Sequence, residues 1–173
     1  MKWVSHAAIA GAIAAFIDAK LVPAAALGAT APDWLEWALA FAGHKVKHRT
    51  VTHYLSVWLL IAAFGAFVWD YRGLITAFAL GAASHWLCDA LTLQGVPLGW
   101  WSDRRVHLFG GRIRTGSAAE YLIAAGAVIA AAMSSWNMRG DAGFMPFFVD
   151  WGELYDRGII DGSEWRANRF RFL

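Results

Sequence analysis

The chain has 173 residues, enough for one domain and a tail. Hydrophobic residues make up 58% and charged residues 16%, against about a quarter charged in soluble domains, and 11 Trp and 11 Phe add a heavy aromatic load. This balance excludes an ordinary soluble domain, and a net charge of +2 gives no basis for nucleic-acid binding; the composition predicts an integral membrane protein.

In chain order, the start lacks the shape of a signal peptide, because Asp18 and Lys20 follow the apolar run Ala7 to Ile17 where a small-residue cleavage site belongs. Residues 6–17 predict a first apolar helix, and Leu21 to Ala31 a return arm toward Pro32-Asp33. Together they make a tight, Ala-rich and partly inserted hairpin, each arm short of the ~20 residues that span hydrocarbon. Asp33-Trp-Leu-Glu36 reads as a capping box opening a short amphipathic helix to about Phe41. A basic loop covers residues 43–50. Tyr54 to Trp69 is the clearest transmembrane run and Gly73 to Leu93 the next. Residues 100–114 form a polar, basic connection, and Ser117-Ala-Ala-Glu120 is a second capping box opening a helix through Trp136.

From Arg139 the character changes to a Gly-rich break, an apolar patch over Phe144 to Val149, and a charged amphipathic tail from Asp150 to Leu173. Gly158 ends one short helix of the tail, and Asp161 or Ser163 caps another. The predicted fold is all-α: a polytopic helical bundle with about four or five membrane helices over residues 1–138, and a soluble helix-turn-helix tail over 139–173.

The polar residues carry the chemistry. His85 and Asp89 stand four apart on an apolar helix, hence on one face, and that helix breaks at Gly95-Val-Pro97. Such a pair can hold a divalent cation or satisfy itself as a buried polar pair. Threading the chain through the membrane in alternation brings His6, Asp33, His48, His53, His85, Asp89 and Glu120 to one side. That side also collects Lys2, Lys45, Lys47, Arg49, Arg104, Arg105, Arg112 and Arg114, while Lys20, Arg72 and Arg139 fall on the other, which makes it cytoplasmic by the positive-inside rule. His44 reads as solvated, His107 as a surface residue, and Cys88, the sole cysteine, as a buried thiol that excludes an internal disulfide.

His48-Arg-Thr-Val-Thr-His53, His85-Trp-Leu-Cys-Asp89 with Thr92 and Gly95-Val-Pro97, together with His6, Pro32-Asp33 and Gly116 to Glu120, resemble the YdjM-like family of membrane-bound, metal-dependent hydrolases over residues 1–136. Two positions depart from that family's pattern: Leu35 stands where a second acid is frequent, and Tyr54 where Ser is usual. More distantly, the His/Asp set is similar to the all-helical zinc phospholipase C and nuclease superfamily, whose N-terminal Trp ligand this chain lacks. The tail is similar to the SHOCT-type C-terminal domain, which implies oligomerisation or docking.

The resemblance implies a metal held by His6, Asp33, His53, His85 and Asp89, with Zn²⁺ favoured by nitrogen and carboxylate ligands and Mn²⁺ or Fe²⁺ as alternatives. His48 is a further ligand or an orienting residue, and Glu120 a general base or last ligand. Arg49, Arg104 and Arg105 are candidates to hold an anionic headgroup or phosphate. The expected reaction is attack of metal-activated water on an ester or phosphoester of a lipid-like or membrane-proximal substrate. A rival reading is a non-catalytic membrane adaptor that binds a cytosolic partner through its basic face and tail. A metal transporter is disfavoured, because the ligands fall at helix ends.

Overall fold

The computed structural model describes residues 1–71, 73–138 and 151–168. Arg72, Arg139, the Phe144–Val149 patch and Arg169 to Leu173 lie outside them. The described chain is mostly helical: α1 (Trp3–Ile17), α2 (Val22–Phe41), α3 (Leu55–Phe67), α4 (Leu74–Ala90), a hairpin of β1 (Val96–Gly99) and β2 (Ser102–Val106), then α5 (Ala118–Met138), α6 (Trp151–Asp156) and α7 (Gly162–Asn168).

Helix α2 lies at the centre, packed against α1 on one flank and α4 on the other; α3 packs on α4 and α5 on α1. Small residues make these contacts close. Ala10 and Ala14 of α1 meet Ala25 and Ala29 of α2. A Cβ on Gly28 would lie 1.9 Å from the Phe78 carbonyl oxygen, and one on Gly81 2.1 Å from that of Ala25, so α2 and α4 touch backbone to backbone. Trp58 and Trp86 close the core near the loops, donating through Nε1 to the carbonyls of Thr52 (2.8 Å) and Pro97 (2.7 Å).

Three expectations change here. First, α2 does not break at Pro32-Asp33. Pro32 removes one helical N–H, but Ala29, Ala31 and Pro32 are buried, and the packing outweighs the lost bond. Asp33 is therefore not a cap; it and Glu36 stand three apart on one continuous helical face.

Second, the basic connection contains a β-hairpin, with Val96 opposite Val106, Pro97 opposite Arg105 and Gly99 opposite Ser102. Pro97 and the charged run Ser102-Asp-Arg-Arg hid the strands, because neither is a strand former by propensity. The second capping box also differs: Glu120 reaches back to the Gly116 amide (2.7 Å), while the Ser117 hydroxyl has no partner.

Third, no helix of the described residues is long and apolar enough to cross a membrane. The 13 residues of α3 and 17 of α4 give about 20 and 26 Å at 1.5 Å per residue, against ~30 Å of hydrocarbon. The apolar content instead covers the outside. Ile13, Phe16 and Ile17 of α1, Leu60, Phe64 and Phe67 of α3, and Leu122, Ile129 and Met133 of α5 are all exposed, a surface far more apolar than water-soluble monomers carry.

In the tail, α6 and α7 are joined through Gly158 at φ +68°, and Asp161 caps α7 by accepting from the amides of Ser163 and Glu164. The helix-turn-helix reading of this piece matches the structure.

Gly28→Ala is expected to cost about 1–3 kcal/mol, because backbone and not a yielding side chain opposes the new methyl. Thermal unfolding in detergent, read by circular dichroism, measures the loss.

Candidate metal centre

The centre of the molecule holds an uncommon density of buried polar groups. His6, His53, His85 and Asp89 are each about 1% exposed. His6 projects from α1, His85 and Asp89 from the end of α4, Asp33 from the middle of α2, and His53 from a single 3₁₀ turn before α3. Ligand atoms of His6, His85 and Asp89 lie within 4.8 Å of one another, as do those of Asp33, His53 and His85. The His6 and His85 rings stack with centroids 3.7 Å apart, and His53 meets His85 edge-on at 5.0 Å.

Hydrogen bonding on the far ring nitrogens fixes how His53 and His85 face inward. His85 Nδ1 is 2.7 Å from the Ala29 carbonyl. A carbonyl oxygen can only accept, so Nδ1 carries the proton and Nε2 presents a lone pair. His53 Nδ1 lies 3.1 Å from Glu36 Oε1 and donates to it, which likewise turns Nε2 inward. His53 Nε2, His85 Nε2 and both nitrogens of His6 are buried with no hydrogen-bond partner.

Each inward nitrogen faces a carboxylate oxygen. His53 Nε2 is 3.3 Å from Asp33 Oδ1, His6 Nε2 3.4 Å from Asp89 Oδ1, and His85 Nε2 3.4 Å from Asp89 Oδ2 and 3.9 Å from Asp33 Oδ1. Lone pairs facing lone pairs in a buried site repel unless a positive charge sits between them. A proton can bridge one such gap: burial lowers the His53 pKa, but Asp33 and Glu36 on either side outweigh it and raise the value. His6 differs, since burial and the neighbouring His85 push it down to about 4, leaving it neutral near pH 7. Two atoms each ~2.05 Å from a tetrahedral zinc lie about 3.3 Å apart, close to the 3.3–3.4 Å of three of these four contacts. The residues fit a divalent cation bound by nitrogen and oxygen.

Two charged neighbours complete the centre. The Arg49 guanidinium, 5% exposed, donates to Asp89 Oδ1 (2.9 Å), Thr92 Oγ1 (3.1 Å) and the Gly95 carbonyl (3.3 Å). Arg49 therefore orients Asp89 instead of standing free as an anion clamp. The α-ammonium of Met1 reaches the same Asp89 oxygen at 2.5 Å. Burial would raise the Asp89 pKa, but the His6 and His85 rings beside it and the Met1 ammonium hold it well below the ordinary carboxylate range.

The sequence reading missed Glu36. Its carboxylate gathers the loop before α3, accepting from the Arg49 amide (2.7 Å), His48 Nδ1 (2.6 Å), His53 Nδ1 (3.1 Å) and Thr52 Oγ1 (3.4 Å). Burial opposes its ionisation, yet bonds from His53, His48 and the Arg49 amide depress its pKa to about 2. The available signal was its three-residue spacing from Asp33, visible once α2 is read as continuous. Leu35, by contrast, packs with Ala31, Trp58, Ala82 and Ala83. A second acid is thus present, one position later than the family pattern has it.

The remaining expected residues fall elsewhere. His48 is 64% exposed in its side chain and stands at the mouth of a cleft of about 360 Å³ that reaches Asp33, Glu36, Arg49 and Asp89. Glu120, fully buried, accepts from the Lys2 amide, the Ser5 hydroxyl and the Gly116 amide, so it fastens the start of α1 to α5 and is in neither ligand group. Arg105 donates to the carbonyls of Gly95 (3.2 Å) and His48 (3.4 Å), tying the hairpin to the basic loop, while Arg104 is exposed. Cys88 is buried and outside both groups. Lys20 lies at the far helix ends, as expected, and so does Asp70, which caps α4 through the Ile75 and Thr76 amides.

A helical scaffold with an apolar exterior and a buried histidine–carboxylate centre defines a membrane-associated protein built around a metal-ligand set. The model of the family described as YdjM inner membrane protein matches residues 1–149, and the chain belongs to that family. No curated protein and no solved structure matches the chain.

Glu36→Gln is expected to leave the fold intact and weaken divalent-cation affinity about 10- to 100-fold, because the neutral amide oxygen accepts from His53 Nδ1–H more weakly than the carboxylate while its NH₂ turns toward His48. Competition with a fluorescent zinc chelator measures this directly.

Proposed function

We propose that this protein is a metal-dependent hydrolase of the inner membrane, acting on an ester or phosphoester of a lipid-like or membrane-proximal substrate. The observation that carries the reading is the set of buried, partnerless histidine nitrogens aimed at Asp33 and Asp89. A structural polar cluster pairs its donors with acceptors, whereas here His85 Nε2 turns an acceptor toward the Asp89 carboxylate. That favours an enzyme over an adaptor.

In this reading His6, Asp33, His53, His85 and Asp89 hold the cation, Zn²⁺ by ligand type with Mn²⁺ or Fe²⁺ as alternatives. A divalent ion there would polarise a substrate oxygen and bring the pKa of a water from about 15.7 toward ~7. The chain's own residues supply orientation and proton handling. Arg49 keeps Asp89 ionised and aimed, and Glu36 fixes the His53 ring. His48, exposed at the cleft mouth with Nδ1 on Glu36, is placed to take or give a proton at its Nε2. Glu120 has no part in the chemistry, being consumed by three hydrogen bonds. The basic residues of the loop before α3 and of the hairpin favour a cytoplasmic orientation of the cleft.

Purified protein should contain stoichiometric metal by mass spectrometry, and His85→Ala and Asp89→Ala should each lose it while remaining folded. The same variants should lose hydrolysis of bis-p-nitrophenyl phosphate or a p-nitrophenyl ester, whereas Arg104→Ala should keep the metal. Wild-type protein free of metal, or full hydrolysis by His85→Ala, would overturn the proposal.

A further inference from the structure

The hairpin uses its two turn positions in an unusual way. Gly99 pairs with Ser102, so Trp100 and Trp101 are the whole connection. Two-residue hairpin loops favour Gly, Asn and Asp, whose backbones suit the turn. This loop instead displays the two largest apolar side chains, 60% and 59% exposed, with Leu98 exposed beside them. Their rings meet edge-on at 5.1 Å, so they form one projecting aromatic unit.

Position gives the unit its meaning. A Cβ on Gly99 would lie 2.4 Å from the Trp101 ring and 2.8 Å from Ser56 Oγ, which places Trp101 beside the first turn of α3. On a helix Ser56 shares its face with residues 59, 60, 64 and 67. These are Leu59, Leu60, Phe64 and Phe67, all exposed. An apolar stripe about 16 Å long at 1.5 Å per residue thus runs down α3 from the tryptophans. The same segments carry exposed charges: Arg104 on β2, and Lys45 and Lys47 in the loop that Arg105 ties to the hairpin.

We propose that the Trp100–Trp101 tip seats in the boundary between headgroups and acyl chains of an anionic bilayer, with the α3 stripe in the hydrocarbon and the basic residues among the phosphates. Tryptophan rings suit that boundary because the ring is apolar and the indole N–H still finds a partner. Lys and Arg there complement the anionic headgroups. The tip and His53 flank the same end of α3, so this seating sets the metal centre at headgroup depth. The inference rests on membership of an inner-membrane family and not on the hydrolase reading.

The test is full-length Trp101→Cys labelled with bimane, in a Cys88→Ser background, reconstituted in vesicles of phosphatidylethanolamine and phosphatidylglycerol at 3:1. Nitroxide at the upper acyl chain should quench the probe several-fold more than aqueous iodide does. Leu98→Cys, facing out beside the tip, provides a second reporter should the first variant fold poorly. Strong iodide quenching with no nitroxide effect would place the tip in water and overturn the proposal. Protection from both quenchers would also overturn it, since a protein partner or a second copy would then cover the tip. Either result is independent of metal content, so it leaves the hydrolase reading to its own test.

Discussion

Buried lone pairs that face one another dominate this structure. Asp33 and Asp89 are faced by inward imidazole nitrogens at 3.3–3.9 Å. Removing polar groups from water without compensation costs several kcal/mol each, so the cluster is tolerable only with positive charge inside it. Arg49 and the Met1 ammonium supply part of that charge from the side, both on Asp89 Oδ1. The space among the Nε2 atoms is one that a cation would fit.

The rest of the fold serves that requirement. The Gly28 and Gly81 contacts bring α2 and α4 close enough for the Ala29 carbonyl to reach His85 Nδ1. Glu36 binds the loop that carries His48, Arg49 and His53, and Arg49 takes a left-handed backbone at φ +59°. Such a conformation is unfavourable for a residue with a Cβ. It is held because the amide is bonded to Glu36 while the guanidinium reaches Asp89. One carboxylate on α2 thereby positions His53 on one side and Arg49 on the other. Glu120 performs a related task at a distance, pinning the start of α1 and with it the approach of His6.

Much of the site was legible in the sequence because its signals are local. The four-residue spacing of His85 and Asp89 and the short His48–His53 segment give side-chain direction directly, and alternation of apolar runs gathers the distant members. Glu36 was not legible, because Pro32 suggests a helix boundary and the backbone ran on through it under tertiary packing. Arg49 reads as a free cation in the sequence, which does not reveal that its guanidinium is spent on Asp89, Thr92 and Gly95. The spans differ for a simpler reason: runs such as Tyr54 to Trp69 count apolar residues, whereas α3 itself covers only Leu55–Phe67. The hairpin was hidden by Pro97 and by strand residues that are mostly charged.

X-ray absorption at the zinc edge addresses the central claim most directly, because it reports the atoms around the ion itself. Protein loaded with zinc should give a shell of nitrogen and oxygen near 2.0–2.1 Å, multiple scattering from about three imidazoles and no sulfur, as expected for His6, His53 and His85 with carboxylate ligands. A spectrum with sulfur at about 2.3 Å, or one lacking imidazole scattering, would contradict this account of the centre.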